Sequence, residues 1–464
     1  RSMNMTSAAE KIKNDILLKY HERNKISKKH NARAKRFLPG GDTRNVCFHQ
    51  PYPTYIEKGS GCRVWDVDGN EYLDFVNNYT ALIHGHAHPN IVEAVKSQLA
   101  KGTIFGAPAE CQYKLAEHLI ERIPALDLIR FSNSGTEATL FAMRAARCFT
   151  GRDLIIKMNG GYHGTHDYSW INVIHPDIGN RKIPQTIPEY GVPSSVLRDT
   201  LIAHFNDLAG FETLLKKNNK RIAGVILAPV LASNTIIAPI EGYLQRMRSL
   251  CDRYDILLIF DEVITLRLSR GGMQEISGVK PDLTTLGKII GGGFPIGAFG
   301  GKREVMEQFH PEHPKNVMHS GTFNGNSISM AAGLAALKMF DRKEINRVNS
   351  LGDRLKEGFK AAVKSAGFKS NVLNTGSLVS FLWRDTRIRD VRDAARAIES
   401  TAVLNRYLHL ELLNRGIFVA PREFYSVSTA MSDNEIDQAV GIFWETLEYL
   451  KPLVSEIHPD LIAN

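Results

Sequence analysis

Three short segments of the chain combine residue types that could bind and activate an organic ligand. The first is residues 132–138, SNSGTEA, directly after the apolar run 128–131. If that run is a strand and a helix opens after it, free backbone N–H groups and the helix dipole favour an anion such as phosphate. The same small hydroxyl residues also make an ordinary helix N-cap, so this segment alone leaves both interpretations open.

The second segment places a carboxylate after an apolar run. Asp261 follows residues 256–260, and burying an anion is costly unless a cation pairs with it. Asp261 is therefore expected to face a cationic side chain or a cationic ligand. The alternative is a surface aspartate at the end of a strand.

The third segment ends in a lysine beside a glycine-rich loop. Lys288 follows residues 282–287 and precedes the loop 291–293, GGG. A desolvated lysine has a lowered pKa and attacks carbonyl groups, and glycines let the backbone approach a ligand closely. The alternative is a surface lysine whose alkyl stem lies along the protein.

These three segments have one economical common explanation. A phosphate site, an aspartate that pairs with a pyridinium and a lysine that forms a Schiff base are together what pyridoxal phosphate requires. Tyr162, in the segment 160–164 (GGYHG), adds an aromatic face that could stack on such a ring.

The elements that would position these residues indicate an α/β fold. Strand-like apolar runs alternate with amphipathic helical patterns, which is typical of a mostly parallel sheet covered by helices. In such a sheet, ligands bind at the carboxyl ends of the strands. We predict a helical arm at 1–36, the N-terminal part of a small domain at 37–84, a large ligand-binding domain at 85–328 and the C-terminal part of the small domain at 329–464.

Composition and charge are those of an ordinary globular protein, with 43% hydrophobic and 23% charged residues among 464. The net charge of +9 is concentrated in residues 1–36, where 11 Lys/Arg face 3 Asp/Glu and a charged helix over 8–36 is predicted. A solvated helix explains this basic arm, and contact with nucleic acid is a minor alternative that we do not expect. Five scattered cysteines indicate a reducing compartment, and we expect a cytoplasmic protein.

The chain resembles the fold-type I, class III pyridoxal-phosphate aminotransferases, in the branch that contains glutamate-1-semialdehyde aminomutase and the β-amino acid (β-phenylalanine) aminotransferases. The resemblance spans about residues 38–450. It is carried by residues 85–89 (GHAHP), 133–138 (NSGTEA), 161–164 (GYHG), 260–263 (FDEV), 282–288 (DLTTLGK), 291–293 (GGG) and 320–323 (SGTF). It implies a large domain with a seven-stranded, mostly parallel sheet, a small α+β domain built from both termini, and a homodimer with shared active sites.

The resemblance also implies a role for each residue of the site. Lys288 would bind the cofactor as a Schiff base and then act as the catalytic base, while Asp261 would pair with the ring nitrogen. The remaining cofactor contacts are assigned to Ser134, Gly135, Thr136 and Thr322 at the phosphate, to Tyr162 and Val263 on the two ring faces, and to His163. Thr322 would reach the phosphate in the neighbouring subunit.

Two patterns that suggest other functions have simpler explanations. The uncharged run 222–240 reaches membrane length, but its two prolines would break a spanning helix, so no membrane contact is expected. The spacing of His84, His86 and His88 is similar to that of a metal-binding motif. The family resemblance instead implies a strand-to-helix turn here, and no metal is expected.

Arg44, Tyr79 and Arg422 are the candidate substrate contacts. Arg44 directly follows a small polar pair, as in the β-amino acid branch, whereas the aminomutase pattern places its arginine where this chain has Cys47. An arginine clamps a carboxylate with two parallel hydrogen bonds, and surface ion pairing is the alternative for both arginines. The loop 228–233 lacks polar residues that most relatives carry near the cofactor, which favours a more apolar substrate.

We therefore expect an aminotransferase that moves an amino group from an amino acid, in particular a β-amino acid, to a keto acid such as 2-oxoglutarate by a ping-pong mechanism. One alternative is an intramolecular aminomutase of the glutamate-1-semialdehyde type. Another is a pyridoxal-phosphate-binding protein without turnover, against which the intact Lys288, Asp261 and Thr322 argue.

Overall fold

A computed structural model describes residues 7–463 of the chain. Its helices are α1 (Ala8–Arg23), α2 (Lys25–Ala34), α3 (Asn77–Thr80), α4 (Pro89–Leu99), α5 (Glu110–Arg122), α6 (Gly135–Thr150), α7 (Leu208–Lys217), α8 (Tyr243–Arg253), α9 (Met273–Ser277), α10 (Arg303–Met306), α11 (Ser327–Met339), α12 (Arg342–Ala366), α13 (Val391–Ser400), α14 (Ala402–Asn414) and α15 (Asp433–Ile457). Its strands are β1 (Ile56–Ser60), β2 (Arg63–Asp66), β3 (Glu71–Asp74), β4 (Leu128–Ser132), β5 (Leu154–Met158), β6 (Thr200–Ala203), β7 (Ile222–Leu227), β8 (Leu257–Asp261), β9 (Leu283–Gly287), β10 (Gly297–Gly301), β11 (Asn371–Thr375), β12 (Leu378–Leu382), β13 (Ile417–Phe418) and β14 (Phe424–Ser426). Across this described part, no helix is both long and apolar enough to cross a membrane.

Seven of the strands form one central sheet in the order β4-β10-β9-β8-β7-β5-β6. The strands from β9 to β6 in this order pair in parallel, whereas β10 runs antiparallel to its neighbours β4 and β9. The predicted α/β fold with a mostly parallel, seven-stranded sheet is therefore confirmed. Because Asp261 of β8 pairs with Thr285 of β9, both strands end at the same edge.

Helices cover this sheet because its central strands carry apolar residues on both faces. β5, β7, β8, β9 and β10 are buried along their whole length. α6 packs across β9 and β10 with small, fully buried side chains such as Ala138, Ala142 and Ala146. Small side chains let the helix lie close to the sheet. The helix begins at the carboxyl edge of the strands.

The two ends of the chain pack against each other. β13 pairs in parallel with β3, with Ile417 opposite Leu73, and α1 packs against α14 and α15. The rings of Phe359 in α12 and Phe443 in α15 stack with centroids 4.0 Å apart. These contacts agree with a small domain built from both termini, while its predicted residue boundaries stay a prediction.

The single charged helix predicted over residues 8–36 is wrong, because α1 and α2 are separate helices that meet at Asn24. The Asn24 side chain donates a hydrogen bond of 2.9 Å to the Tyr20 carbonyl and ends α1. The carboxylate of Asp68 then accepts hydrogen bonds from the first backbone N–H groups of α2. Residues 1–6 of the predicted basic arm lie outside the described residues.

Two glycines permit a close approach that shapes the segment after β4. Gly297 of β10 pairs with Ser132, and a Cβ atom on Gly297 would lie 1.9 Å from the carbonyl oxygen of Ser134. Gly164 has a φ of +91°, and a Cβ there would lie 2.6 Å from the Cα of Thr136. The backbone of the predicted phosphate segment is thus held between two positions that tolerate no side chain.

Replacing Gly297 with alanine should displace this segment. We expect Gly297→Ala to lower the free energy of unfolding by about 1–3 kcal/mol, because the new methyl group overpacks a backbone contact, and to weaken binding of pyridoxal phosphate. Urea unfolding and cofactor titration measure the two effects. Gly441→Ala is the control, since a Cβ at this exposed position in α15 meets nothing within 4 Å and should stabilise the helix slightly. Equal stability of the two variants would contradict the close approach.

Candidate active site

The three segments identified in the sequence line one cavity of about 550 Å³ at the carboxyl edge of the central sheet. They converge because β4, β8 and β9 all end there, as ligand sites of open α/β sheets do. The candidate residues that line the cavity are Arg44, Ser134, Gly135, Thr136, Tyr162, His163, Asp261, Val263 and Lys288. The remaining three candidates, Tyr79, Thr322 and Arg422, lie outside this lining.

The start of α6 is suited to hold a phosphate. The Ser134 hydroxyl is the N-cap: it accepts from the Glu137 N–H at 3.2 Å and donates to the Glu137 carboxylate at 2.9 Å. The first intrahelical bond joins Ala138 N–H to the Ser134 carbonyl, so the amides of Gly135 and Thr136 precede it and are free for an anion. This segment can therefore be both a helix N-cap and a phosphate site, the two interpretations that the sequence left open.

Asp261 ends β8 inside the cavity and is oriented by two hydrogen bonds. His163 lies 2.7 Å away, with its Nδ1 donating to Oδ2 of Asp261. The backbone N–H of Val263 donates to Oδ1 at 3.1 Å. His163 is fully buried, and its Nε2 has no partner among residues 7–463. His163 also lines the cavity, and its ring holds the carboxylate of Asp261 in place, while a contact between His163 and the cofactor stays a prediction.

Lys288 follows β9 and is enclosed by the cavity. Its Nζ donates a hydrogen bond of 3.0 Å to the carbonyl oxygen of Tyr79. The pKa of Lys288 is lowered to about 8, chiefly by burial and also by the positive charge of Arg422, while the negative charge of Asp261 opposes the shift. A lysine with this pKa is partly unprotonated near neutral pH, as a nucleophile toward carbonyl groups must be. Its φ of 49° is left-handed, a strained conformation typical of functional sites.

The carbonyl that Lys288 contacts belongs to a left-handed turn. All four residues of α3 have φ between 46° and 76°, a conformation that costs L-residues about 1–2 kcal/mol each. Asp74 holds the turn: its Oδ1 accepts from the N–H groups of Val76 and Asn77 at 2.7 and 2.9 Å. Oδ2 of Asp74 lies 2.6 Å from the His86 ring, so His86 has a structural role.

Two arginines flank the ring of Tyr79. The guanidinium of Arg44 lies 5.8 Å from the ring centroid and that of Arg422 lies 5.4 Å from it. Arg44 donates to the side-chain oxygen of Asn78 at 2.8 Å. Burial lowers the pKa of Arg422, and its Nε has no partner among residues 7–463. The arrangement concentrates positive charge beside Lys288 and is suited to carboxylate ligands.

Two other candidates are only partly placed by this chain. Tyr162 is 45% exposed and meets Trp170 edge to face at 6.2 Å, so one face of its ring is open to a ligand. Thr322 lies in an exposed segment together with Phe323, and its predicted contact with a second subunit stays a prediction. In residues 7–463, no group of three or more His, Cys, Asp or Glu side chains is arranged to hold a metal ion.

Two features of the site were not identified from the sequence. The left-handed turn at α3 was missed, although the pair Asn77-Asn78 is a local signal, since asparagine tolerates this conformation best after glycine. The apolar wall formed by Val230, Leu231 and Phe294 was only partly anticipated. The composition of the loop was visible in the sequence, but its place in the lining of the same cavity as Asp261 depends on tertiary packing.

These residues fit pyridoxal phosphate on separate grounds. Free amides at the start of α6 suit the phosphate, a buried and oriented carboxylate at Asp261 suits a protonated ring nitrogen, and the lowered pKa of Lys288 suits attack on an aldehyde. Sheet topology and site together define a fold-type I pyridoxal-phosphate enzyme.

The comparison with known proteins identifies the family. The model of the class-III aminotransferases matches residues 47–446, so the chain belongs to this family of pyridoxal-phosphate enzymes. It is 40% identical over 422 residues to glutamate-1-semialdehyde 2,1-aminomutase from Methanothermobacter thermautotrophicus, which covers 90% of this chain and 98% of that protein.

Solved structures of several transaminases share the fold. An omega-transaminase from Sphaerobacter thermophilus is 40% identical with a TM-score of 0.86, covering 96% of this chain and 98% of that one. A β-phenylalanine aminotransferase from Variovorax paradoxus is 32% identical with a TM-score of 0.87, and the match covers 98% of this chain and 100% of that one. The resemblance inferred from the sequence motifs is confirmed.

The lowered pKa of Lys288 can be measured in cofactor-free protein. The rate of its condensation with a neutral aromatic aldehyde should rise with pH through a midpoint near 8, because the free amine forms above the pKa. Arg422→Leu removes a nearby positive charge, which should raise the pKa of Lys288 and shift the midpoint to higher pH. Lys288→Ala corrects for surface lysines. A midpoint near that of an exposed lysine in both proteins would contradict the enclosed amine.

Proposed function

We propose that the protein is an aminotransferase that moves an amino group from a β-amino acid to a keto acid such as 2-oxoglutarate. The observation that carries the proposal is the pair of arginines, Arg44 and Arg422, which both lie near the Tyr79 ring and whose charges both act on Lys288. A dicarboxylate keto acid needs two cationic contacts, and an amino donor needs one. Donor and acceptor then use the same cavity in turn, which is a ping-pong mechanism.

The side chains divide the chemistry between them. Bound pyridoxal phosphate supplies an electron-withdrawing ring that acidifies the carbon bearing the amino group. Asp261, fixed by His163 and the Val263 N–H, would keep the proton on the ring nitrogen. The Nζ of Lys288 would take a proton from the substrate carbon and return it, since its lowered pKa lets it exist in both forms near neutral pH.

A β-amino acid suits the position of Arg44. Asp42 orders the loop before it by accepting from the Thr43 and Arg44 N–H groups at 2.5 and 3.1 Å, and Asn78 fixes the guanidinium. Arg44 thus lines the same cavity as Lys288 and is held in place there, where its guanidinium can bind the carboxylate of an amino donor. The similarity to the β-phenylalanine aminotransferase supports the same choice.

A second candidate function is intramolecular amino transfer. It is favoured by the curated relatives at 38–40% identity that carry the name glutamate-1-semialdehyde 2,1-aminomutase. An aminomutase needs no external keto acid, whereas an aminotransferase stops after one turnover without it. This difference separates the two functions experimentally.

We also propose a homodimer with shared active sites. Exposed apolar side chains support it: Phe105, Tyr113, Met318 and Phe323 are each 49–72% exposed, and contiguous apolar surface is typical of protein interfaces. Thr322 is exposed and adjacent to Phe323 in the chain, and it is not among the residues that line the cavity of its own chain. A second copy of the chain is the natural ligand of such a surface.

Steady-state kinetics test the substrate assignment. We expect turnover of β-phenylalanine with 2-oxoglutarate, with a kcat/KM above that for α-phenylalanine. Arg44→Lys should lower kcat/KM for the β-amino acid about 10- to 100-fold, because a lysine cannot form the two parallel hydrogen bonds. Conversion of glutamate-1-semialdehyde without an added keto acid, together with no net transamination, would instead establish the aminomutase.

Subunit complementation tests the shared site. Lys288→Ala and Thr322→Glu homodimers should each be inactive, the second because a carboxylate repels the phosphate. In a mixed dimer, the subunit carrying Thr322→Glu keeps its own Lys288 and receives an intact Thr322. Random mixing should therefore restore about one quarter of wild-type activity per subunit. No restoration in dimers shown to be mixed would place Thr322 in its own subunit's site or outside any site.

A further inference from the structure

A second cavity of about 470 Å³ lies beside the active-site cavity. It is enclosed by the N-terminal segment around Val46 and Cys47, by Val76 before the left-handed turn, and by Phe418 and Val419 near β13. Its walls are mainly apolar and aromatic, with a few polar groups, which is the composition of a site for a small organic molecule.

The two cavities meet at one pair of side chains. Arg44 and Asn78 line both of them, and their hydrogen bond of 2.8 Å lies at the boundary. Tyr79, whose carbonyl contacts Lys288, lines the second cavity. A ligand whose carboxylate binds Arg44 and whose amine faces Lys288 therefore has the second cavity directly adjacent to it.

His409 gives the second cavity a specific polar requirement. This residue of α14 is 3% exposed and lines the cavity, and neither of its ring nitrogens has a hydrogen-bond partner among residues 7–463. Its ring meets that of His49 edge to face at 4.8 Å. Burial holds the pKa of His409 well below its ordinary value and lowers that of His49 to about 4.

A neutral imidazole carries one N–H donor and one nitrogen acceptor. Leaving both nitrogens buried and unpaired is costly, and a ligand group that can either donate or accept lowers this cost at the nitrogen it reaches, whichever tautomer is present. A charged ligand group does not suit the position, because the buried rings of His409 and its neighbour His49 are both neutral and offer no opposite charge. A hydroxyl or a primary amide matches it.

We propose that the second cavity is a subsite for the distal part of the amino donor, and that this part is an apolar chain ending in an uncharged hydrogen-bonding group that binds His409. The inference rests on the proposed function, because it is the amine at Lys288 and the carboxylate at Arg44 that direct the rest of the substrate into this cavity. A short β-amino acid does not fill the second cavity, and it makes no hydrogen bond with His409.

Three β-amino acids of graded structure test the subsite. 3-Aminobutanoic acid is too short to reach it, whereas 3-amino-7-hydroxyheptanoic acid and 3-aminooctanoic acid have the same length and differ in a terminal hydroxyl against a methyl group. We expect the wild-type enzyme to prefer the hydroxyl compound over the methyl compound about tenfold in kcat/KM, because the methyl compound leaves the imidazole unpaired.

Variants at His409 identify the group responsible. His409→Leu should abolish or reverse the preference for the hydroxyl compound, and His409→Gln, which keeps a donor and an acceptor, should retain most of it. Calorimetric titration of the same compounds into cofactor-free protein should show the same order of affinities without any turnover. Melting temperatures identify a variant that fails to fold. In that case the comparison of the hydroxyl and methyl compounds with the wild-type enzyme decides alone.

The outcomes separate this inference from the proposed function. If 3-aminobutanoic acid is converted with 2-oxoglutarate but the hydroxyl and methyl compounds are bound and converted equally well, the subsite is overturned and the aminotransferase stands. Equal effects of His409→Leu on all three compounds would also overturn it. If no β-amino acid is converted by the wild-type enzyme, the proposed function fails. The order of affinities in the calorimetric titration then decides by itself whether the second cavity recognises the apolar part of the ligand and its terminal group.

Discussion

The active site depends on the parallel pairing of β8 and β9. Their backbone hydrogen bonds set Asp261 opposite Thr285, so the strand that ends in Asp261 lies beside the strand that continues into Lys288. A carboxylate and an amine in an apolar interior are each costly alone. Here they lie close enough for the negative charge of Asp261 to raise the pKa of Lys288 against the effect of burial. Every other element of the site is placed relative to this strand pair.

The two ends of the chain hold in place a strained turn that contacts Lys288. The left-handed turn at α3 is strained, and it persists because Asp74 and the carbonyl of Ser426 bind its backbone and the Asn77 side chain. Ser426 belongs to β14, far along the chain, so the C-terminal region stabilises a turn that presents the Tyr79 carbonyl to Lys288. The environment of Lys288 therefore depends on contacts between the two ends of the chain.

Much of the fold was predictable because its signals are local. Apolar runs identified β4 and β8, and the helix after β4 was visible in the small hydroxyl residues at its start. The break at Asn24 was not, since it depends on Asp68, a residue 44 positions away in the chain that caps the second helix. The sequence offered His163 as a site residue, but its hydrogen bond to Asp261 required the packing of a loop onto β8.

The sequence by itself determined the class of chemistry, because a lysine, an aspartate and a phosphate segment each follow a strand signal, and parallel strands end at one edge whatever their order. It also determined the family, through motifs distributed over nearly the whole chain. Only the tertiary structure decided how Arg44 and Arg422 share the ring of Tyr79, and that His409 is left without partners at the wall of a second cavity. These arrangements bring together residues that are far apart in the chain, and the free energy that fixes them comes from burial in the assembled core rather than from any local pattern.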